Sequence, residues 1–319
     1  MIATPAISVI MPAYNVGPFI GVALHSVLVQ SLPDWELLVV DDGSTDGTAD
    51  IVAAFPDPRI RLIRQENAGV SAARGRAMAA ACGGAMLFLD ADDWLAPDAL
   101  ARLSAALGGA PRAVAACGPA VPMAESARPG DAPLRAPRPC PGGALLETLL
   151  VRNLFANGGQ VLVRREAIAA TGSFRTELRY GEDWEYWTRL ALHGPFAALQ
   201  GSAPVLFVRE RQGSAYRRMA SDPAAFAPAM QAIFGNPALP ARLGPARLER
   251  LRWRAEAENG WIVARERLRH GRRAEGLAGL RRAFRAAPSV RRAVLLAAAH
   301  ALPLLPARLH GPFAAYPAG

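Results

Sequence analysis

The sequence predicts an α/β fold, with a mostly parallel sheet flanked by helices and a helical extension at the C-terminal end. Over the first hundred residues, short apolar runs alternate with segments of helical periodicity, which is typical of parallel strands joined by crossover helices. Two of these runs end on clusters of aspartate, and doubly wound sheets bind ligands at the carboxyl ends of their strands. The 319 residues, 51% of them hydrophobic, suffice for a sizeable core.

Four strands and four helices alternate in the first part of the predicted fold. The first helix has apolar residues at the spacing of one helical face, and the third is rich in alanine. The strands are predicted at 7–11, 35–40, 60–63 and 85–90, and the helices at Ile20 to Leu28, 48–55, 70–82 and 97–107.

The second part of the chain predicts a helix and a strand, then mostly helices. The stretch 118–143 is crowded with proline, glycine and alanine, which predicts an irregular connection. From about residue 223 the pattern is helical and rich in arginine, with a helical hairpin that turns at Gly271. The other predicted elements are helices at 144–153, 166–172 and from near Asp183, and strands at 160–165 and within 204–218.

These elements predict two regions. We expect an α/β domain over 1–220, with two halves at 1–110 and 111–220. A basic helical region is expected over 221–319, where the composition shifts toward arginine.

The positive charge is concentrated near the C-terminal end. The formal net charge is +9, and the segment from Arg242 to Arg292 contains 15 arginines and 5 glutamates. Such a segment is either a solvated helical face or a binding surface for an acidic partner. An anionic membrane surface is the partner we expect. Nucleic acid is not expected, because the arginines are not combined with base-stacking aromatic residues in a recognisable module.

The cysteines and the N-terminal residues indicate a reducing compartment. Three widely spaced cysteines without metal-ligand spacing are typical of structural thiols. The first residues lack a basic start and a long apolar core, so no signal peptide is predicted. The apolar run 293–307 is shorter than the ~20 residues that a membrane span needs. We therefore expect a cytoplasmic protein that can lie peripherally on the inner membrane face.

The stretch VVDDGSTDGT, residues 39–48, places two aspartates at the end of the second strand. Burying charge is costly without a partner, so a ligand or a helix cap should account for them. A calcium loop is excluded, because its twelfth position is Ala53 where a glutamate is needed. The chain also has no GxGxxG after the first strand and no P-loop. The carboxylates can accept hydrogen bonds from a base or from ribose hydroxyls.

The stretch LFLDADDWLAPD, residues 87–98, brings three carboxylates together after the fourth strand, at Asp90, Asp92 and Asp93. Closely spaced hard oxygen ligands suit Mg²⁺ or Mn²⁺, which proteins bind through one or two carboxylates plus the phosphates of the substrate. We expect a divalent metal of this kind, which can neutralise the charge of a diphosphate leaving group.

Together with three further motifs, these stretches resemble the family 2 glycosyltransferases with the GT-A fold, a Rossmann-like fold of nucleotide-diphospho-sugar transferases. Each motif alone is only moderately specific, but five occur in the family's order and cover about residues 5–215. They are SVIMPAYN (8–15), VVDDGSTDGT (39–48), NAGVSAARGRAM (67–78), LFLDADDWLAPDAL (87–100) and GEDWEYWTRLALHG (181–194).

The resemblance implies a nucleotide-diphosphate sugar donor, with a UDP-sugar favoured. It also implies that 1–110 is the nucleotide-binding half of the domain and 111–220 the acceptor-side half. At the matching positions, Pro12, Ala13 and Tyr14 would line the pocket of the base. Asp42 would bind the base, and Arg74 would lie near the nucleotide.

The resemblance also implies the metal ligands and the catalytic base. Asp92 would contact ribose or metal, Asp93 would contact the metal, and Asp90 would support them. The Glu182–Asp183 pair matches the family's ED motif, in which Asp183 would be the general base.

The chemistry of the reaction is a second argument for Asp183 as the general base. Inverting sugar transfer needs a carboxylate that takes a proton from the acceptor hydroxyl as this attacks the anomeric carbon. The adjacent Glu182 should raise one of the two carboxyl pKa values, whereas a helix N-terminus at Asp183 favours its charged form. The alternative is that Asp183 only caps the helix. Trp184 and Trp187 are expected in the core.

Two departures from the family pattern qualify these expectations. The final strand reads FVRERQGS, so Arg209 is kept, but Arg211 stands where many relatives have a histidine that helps to ligate the metal. Arginine is permanently charged and cannot ligate a metal, but it can clamp a diphosphate. We expect fewer protein ligands for the metal and a weaker metal dependence. The absence of a QxxRW motif indicates single addition and not processive synthesis.

The expected function is therefore inverting transfer of a sugar from a nucleotide-diphosphate sugar to a glycan or lipid-linked acceptor, in cell-surface glycan or glycolipid assembly. One alternative is a sugar-phosphate nucleotidyltransferase. Such enzymes begin with a glycine-rich loop and use a catalytic lysine, whereas this chain has PAYNVGP there and no lysine. The other is a catalytically silent, transferase-like scaffold, which only Arg211 favours.

Overall fold

A computed structural model describes residues 5–211, 214, 216 and 219–301. The chain divides into two compact units. The first contains the residues up to 146 and 153–211, and the second contains 147–152 and the residues after 211.

The strands lie in the first unit. They are β1 (Ile7–Ala13), β2 (Trp35–Asp41), β3 (Ile60–Arg64), β4 (Ala85–Phe88), β5 (Trp94–Leu95), β6 (Ala115–Cys117), β7 (Ala120–Ala124), β8 (Val161–Arg164), β9 (Phe196–Ala198) and β10 (Leu206–Glu210).

The helices occur in both units. They are α1 (Gly17–Leu28), α2 (Thr48–Ala53), α3 (Val70–Ala80), α4 (Ala99–Gly108), α5 (Leu146–Val151), α6 (Arg165–Thr171), α7 (Glu182–Leu190), α8 (Ala227–Phe234), α9 (Ala238–Leu243), α10 (Pro245–Arg269), α11 (Arg273–Ala286) and α12 (Val290–Ala301). Two short 3₁₀ turns lie at Gly158–Gln160 and Pro223–Phe226.

A seven-stranded sheet forms the centre of the first unit, in the order β3–β2–β1–β4–β8–β6–β9. The first four of these strands pair in parallel. Strand β8 runs antiparallel to β4 and β6, and β9 pairs in parallel with β6. The predicted fold class, a mostly parallel sheet flanked by helices, is confirmed.

The central strands are continuous apolar runs because helices cover both faces of the sheet. Val9, Leu37 and Leu87 have no exposed surface and pack with Ile20 and Leu24 of α1. Burial on this scale fixes the central strands firmly, and it holds their carboxyl ends at one edge of the sheet.

A second sheet of three strands has the order β5–β10–β7. Strand β10 runs antiparallel to β5 and parallel to β7. Because β7 lies within 118–143, the prediction of a wholly irregular connection there is wrong. Val121 and Met123 of β7 are buried, and pairing with the distant β10 orders a segment whose proline and alanine content alone disfavours a strand.

The second unit is helical, and α10 and α11 form the predicted hairpin. The turn contains Gly271 with a φ of 76°, a conformation that glycine adopts without strain. A β-carbon on Gly276 would lie 2.6 Å from Cγ of Leu268, and one on Gly279 would lie 2.7 Å from Cβ of Ala264. These two glycines therefore let the antiparallel helices approach closely.

Over the described residues, no helix combines the length and the apolar character needed to cross a bilayer. The apolar run predicted at 293–307 lies in α12 up to residue 301, and its remainder lies outside the described residues.

Candidate active site

Three parallel strands deliver the predicted nucleotide-binding residues to one edge of the sheet. Pro12 and Ala13 are the last residues of β1 and pair with Val40 and Asp41 of β2. Tyr14 follows them and is 51% exposed. Since β4 pairs with the other side of β1, the residues that follow β1, β2 and β4 are neighbours at the carboxyl edge, where such sheets bind ligands.

The loops after β1 and β2 are fastened to each other. The backbone N–H of Asn15 donates to Oγ of Ser44 at 3.0 Å, and Oδ1 of Asn15 accepts from the backbone N–H of Thr45 at 2.9 Å. Asp46 accepts from the backbone N–H of Gly17 at 2.8 Å. Asn15 has a φ of 49°, which asparagine tolerates better than most residues. The polar residues of both motifs thus build one rigid rim.

Asp42 is buried and holds the loop that precedes α3. Its Oδ1 accepts hydrogen bonds from Nε2 of Gln65 at 2.7 Å and from the backbone N–H of Ala68 at 2.8 Å. Its Oδ2 accepts from the backbone N–H of Gly69 at 2.8 Å. These bonds compensate the cost of burying the carboxylate. The base-binding role of Asp42 stays a prediction.

Arg74 of α3 joins two acidic segments that are far apart in sequence. Its side chain is buried and donates to Oδ1 of Asp90 at 2.9 Å and to Oε1 of Glu182 at 3.0 Å. Burial disfavours the charge, but the carboxylates of Asp90, Glu182 and Asp183 outweigh it and hold the pKa of Arg74 above its usual value. Arg74 thereby ties the turn after β4 to the start of α7.

The acidic turn after β4 contains two differently placed carboxylates. Asp92 is partly exposed, and its Oδ2 accepts a hydrogen bond from Nη1 of Arg211 at 2.8 Å. Asp93 is only 3% exposed. Its Oδ1 accepts from the backbone N–H of Arg209 at 2.7 Å, and its Oδ2 accepts from the amide of Asn157. Burial and the neighbouring carboxylates raise the pKa values of both aspartates.

The carboxylate oxygens of the acidic turn after β4 fit a cation that is held by few protein ligands. No group of three or more His, Cys, Asp or Glu side chains is placed for a metal among the described residues. Asp90 and Asp92 each engage one oxygen with an arginine, so a second oxygen of each can face a cation. Mg²⁺ and Mn²⁺ commonly bind one or two carboxylates and complete their shell with substrate phosphates. The metal role of Asp93 stays a prediction, and it requires Asp93 to exchange protein hydrogen bonds for the ion.

Asp183 is the second residue of α7, and the helix begins directly after Gly181, which has a φ of 75°. Its Oδ1 accepts a hydrogen bond from the backbone N–H of Trp184 at 2.7 Å, and its Oδ2 accepts from Nδ2 of Asn153 at 2.9 Å. Burial and the charge of Glu182 raise the pKa of Asp183 to about 7, against the opposing effect of Arg74 and of these hydrogen bonds. A carboxylate with this pKa is suited to take a proton near neutral pH.

An aromatic cluster fixes α7 in place. Trp187 has no exposed surface and meets Phe88 and Phe155 edge-on, with centroids 6.2 and 5.7 Å apart. Tyr186 stacks on Phe174 at 4.0 Å. Trp184 is 3% exposed, so both tryptophans of the motif belong to the core, as expected.

Arg209 and Arg211 reach the acidic turn from β10 and the residue after it. Nε of Arg209 donates to the carbonyl oxygen of Asp92 at 3.0 Å, and its Nη1 donates to the carbonyls of Glu125 and Ala127 at 2.7 and 2.6 Å. The guanidinium of Arg211 lies 4.6 Å from the ring centroid of Phe19. Arg209 thus fixes the backbone of the turn, and Arg211 offsets the charge of Asp92. The contact of Arg211 with a diphosphate stays a prediction.

The structure joins most of the predicted residues in one network. Its members are Arg74, Asp90, Asp92, Asp93, Glu182, Asp183 and Arg211. Pro12, Ala13, Tyr14 and Asp42 lie at the neighbouring strand ends, and Asp42 bonds to the 65–69 loop. The sequence analysis missed Asn153 and Asn157, whose only sequence signal is a pair of asparagines in the stretch NLFAN before a strand.

Comparison with known proteins shows the family to which the chain belongs. The model of glycosyl transferase family 2 matches residues 8–171, which is just over half of the 319 residues. The chain belongs to glycosyl transferase family 2, so the predicted family is confirmed.

A curated relative from Escherichia coli is named UDP-Glc:alpha-D-GlcNAc-diphosphoundecaprenol beta-1,3-glucosyltransferase WfgD. This chain is 46% identical to it over 92 residues, which are 28% of this chain and 36% of the relative. Among the curated relatives, the matched segment spans between 14% and 40% of the relative's own length.

Two solved structures share the fold. S. aureus TarS in complex with UDP-GlcNAc superposes with a TM-score of 0.61 and 20% identity, over 92% of this chain and 87% of that one. The mannosyltransferase PcManGT from Pyrobaculum calidifontis, in complex with GDP-Man and Mn²⁺, superposes with a TM-score of 0.58 and 24% identity, over 95% and 82%. At this identity the likeness establishes the GT-A fold.

Proposed function

We propose that this chain is an inverting glycosyltransferase that moves a sugar from a nucleotide-diphosphate sugar to an acceptor hydroxyl. The observation that carries the proposal is the network that joins Asp183, with a pKa raised to about 7, through Arg74 to the acidic turn after β4. A base and a charged rim for a diphosphate are thus parts of one arrangement.

In the proposed reaction, Asp183 accepts the proton of the acceptor hydroxyl. The hydroxyl oxygen forms a bond to the anomeric carbon from the face opposite the diphosphate. The bond between that carbon and the diphosphate oxygen breaks, and its electron pair leaves with the diphosphate. Glu182 stays paired with Arg74, which keeps a second negative charge in place and the pKa of Asp183 high.

A divalent cation, Mn²⁺ or Mg²⁺, would neutralise charge on the leaving diphosphate. We propose Asp92, assisted by Asp90, as its carboxylate ligands, because both are partly exposed. Asp93 is proposed to hold the shape of the turn through Arg209 and Asn157. Arg211 is proposed to release Asp92 and pair with the diphosphate when the donor binds. The Mn²⁺ bound to PcManGT supports a divalent metal.

The proposed donor is a UDP-sugar, and the proposed acceptor is a glycan or a lipid-linked sugar of a cell-surface polymer. The name of the Escherichia coli relative, a glucosyltransferase with UDP-Glc and a diphosphoundecaprenol-linked acceptor, supports both. The UDP-GlcNAc bound to TarS supports the base, and the GDP-Man bound to PcManGT makes a GDP-sugar the comparison to test.

A thermal-shift screen with UDP-Glc, UDP-GlcNAc and GDP-Man tests this function. With Mn²⁺ present, we expect a UDP-sugar to raise the midpoint most, because a ligand that binds only the folded state stabilises it. EDTA should reduce the shift. A midpoint unchanged by all three sugars, confirmed by calorimetry, would instead favour a catalytically silent scaffold.

A further inference from the structure

Phe19 is an aromatic residue in the first turn of α1 that faces two arginines of the candidate active site. Its ring centroid lies 4.6 Å from the guanidinium carbon of Arg211 and 5.2 Å from that of Arg209. Both distances are within the range of cation–π attraction, which extends to about 6 Å. Phe19 is partly exposed, and it is not part of the core cluster that contains its neighbour Ile20. Packing in that cluster therefore does not account for the position of the ring.

The backbone that carries Phe19 is firmly held. The backbone N–H of Val16 donates to Oγ1 of Thr48 at 3.0 Å, and the backbone N–H of Gly17 donates to Asp46 at 2.8 Å. The backbone N–H of Phe19 donates to the carbonyl oxygen of Val16 at 2.9 Å. The first turn of α1 is thus bonded to the loop after β2, and the ring offers a fixed surface to the longer side chain of an arginine.

Arg209 does not depend on Phe19 for its position. Its guanidinium donates to three backbone carbonyl groups, and it also lies 4.7 Å from the ring centroid of Trp94. Hydrogen bonds between a charged donor and carbonyl oxygens are strong. These contacts hold Arg209 without the Phe19 ring, so the loss of that ring should leave Arg209 in place.

Arg211 is held less firmly than Arg209. Its Nη1 donates to Oδ2 of Asp92 at 2.8 Å, and its Nε is buried without a hydrogen-bond partner among the described residues. When Arg211 releases Asp92, it loses this ion pair but keeps the face of the Phe19 ring. Cation–π attraction acts over the whole ring face, so it persists while Nη1 changes its partner.

We propose that Phe19 is the positioning residue of Arg211 in the donor site. Its ring keeps the guanidinium beside the acidic turn after β4 while Nη1 exchanges Asp92 for a phosphate oxygen of the nucleotide diphosphate. The ring stacks on the plane of the guanidinium and leaves its N–H groups free to bond in that plane. This inference rests on the proposed function, and it adds a residue that acts on the donor through Arg211.

A double-mutant cycle in nucleotide affinity tests the proposal on the full chain. UDP and GDP are titrated by calorimetry, with Mn²⁺ present, into the wild type, Phe19→Leu, Arg211→Ala and the double variant. For the nucleotide that binds the wild type more tightly, we expect Phe19→Leu to weaken binding at least about threefold. Arg211→Ala should weaken it at least about tenfold. The double variant should bind like Arg211→Ala, because the ring acts through the guanidinium.

Two further variants separate positioning from packing. Phe19→Tyr keeps the aromatic ring and should bind the nucleotide within about twofold of the wild type. Phe207→Leu removes a nearby ring that stacks on Trp94 with centroids 5.4 Å apart, and it should also bind within about twofold. The thermal midpoint of each variant, measured without nucleotide, verifies that it is folded. If Phe19→Leu does not fold, Phe19→Met takes its place, because methionine also has apolar bulk without an aromatic face.

Unchanged nucleotide affinity in Phe19→Leu would overturn the proposal, and so would additive losses in the double variant. Equal losses in Phe19→Leu and Phe19→Tyr, or in Phe19→Leu and Phe207→Leu, would show a general loosening of the acidic turn in place of positioning. If neither nucleotide binds the wild type, the proposed function fails and this inference fails with it. Nucleotide binding that does not respond to Phe19→Leu contradicts this inference alone.

Discussion

Asp183 is held between opposing influences. Burial and Glu182 disfavour its charge, whereas Arg74, Asn153 and the backbone N–H of Trp184 favour it. Together these interactions raise the pKa of Asp183 to about 7. The carboxylate is therefore basic enough near neutral pH to accept the proton of an attacking acceptor hydroxyl.

The pH dependence of transfer should report this balance. Only the ionised carboxylate can act as a base, so kcat/KM should rise with pH through an apparent pKa near 7. Asn153→Ala removes a hydrogen bond to the charged form and should move this rise upward by about one pH unit. Asn157→Ala, whose amide bonds to Asp93, is the control. An unshifted profile in Asn153→Ala would contradict this role of Asn153.

The raised pKa of Asp183 also predicts that the free energy of unfolding depends on pH. Because the folded-state pKa of Asp183 lies above the unfolded value of 3.8, the folded state binds more protons, and stability from this group falls as pH rises from about 4 to about 7. Asp183→Asn should therefore melt at least about 3 °C above the wild type at pH 8.5. The difference should be smaller at pH 5 and vanish at about pH 3, where the group is protonated in both states, and calorimetric scans would measure it. A lower midpoint for the variant at pH 8.5 would refute this.

At the residue scale, the sequence allows a candidate site residue to be singled out where a recognisable motif contains it. Asp90, Asp92 and Asp183 could be singled out because carboxylates follow recognisable strands and a helix start. Asn153 and Asn157 could not, because their partners lie 30 and 64 residues away. Only folding brings Asn153 to Asp183 and Asn157 to Asp93. The burial of the Asp93 side chain also could not be predicted from the sequence.

At the scale of elements, β10 organises the acidic turn. The strand lies between β5 and β7, and its Arg209 connects the turn to the residues after β7 through three carbonyl groups. The backbone N–H of Arg209 bonds to Asp93. A small sheet of only three strands thus fixes the position of Asp92 and Asp93.

Arg209→Ala should destabilise the first unit by about 3 kcal/mol, because it leaves carbonyl groups without a charged donor. It keeps the backbone bond to Asp93. Arg135→Ala removes an exposed pair with Glu210 of the same strand and should cost less than about 1 kcal/mol. Urea unfolding of both variants measures the difference. Equal losses would show that Arg209 does not hold the turn.

The elements that sequence analysis missed are short or poor in β-branched residues. Strands β6 and β9 read AAC and FAA, and alanine gives no strand signal. These two strands form because they pair with other strands of the sheet, in which β6 lies between β8 and β9. The strands β1, β2, β4 and β8 were predictable because apolar side chains fill both of their faces.

Across the whole molecule, the positive charge is concentrated in the helices of the second unit. The 15 arginines between Arg242 and Arg292 exceed what the acidic residues of that segment can pair. We propose that these helices attract an anionic membrane surface, which would bring a lipid-linked acceptor near the enzyme.

Co-sedimentation with vesicles tests this attraction. Binding should increase with the fraction of phosphatidylglycerol and fall steeply at about 0.5 M salt, because salt screens charges at the surface. Equal binding to neutral phosphatidylcholine vesicles would show that charge does not drive the association.

Calorimetry of the best nucleotide-sugar with Mn²⁺, paired with a transfer assay, tests the central claim most directly in Asp92→Asn and Asp183→Asn. We expect Asp92→Asn to weaken metal-dependent donor binding at least about tenfold. Asp183→Asn should bind the donor within about threefold of the wild type and lose at least about 100-fold in transfer rate. Undiminished transfer by Asp183→Asn, or undiminished donor binding by Asp92→Asn, would contradict the account.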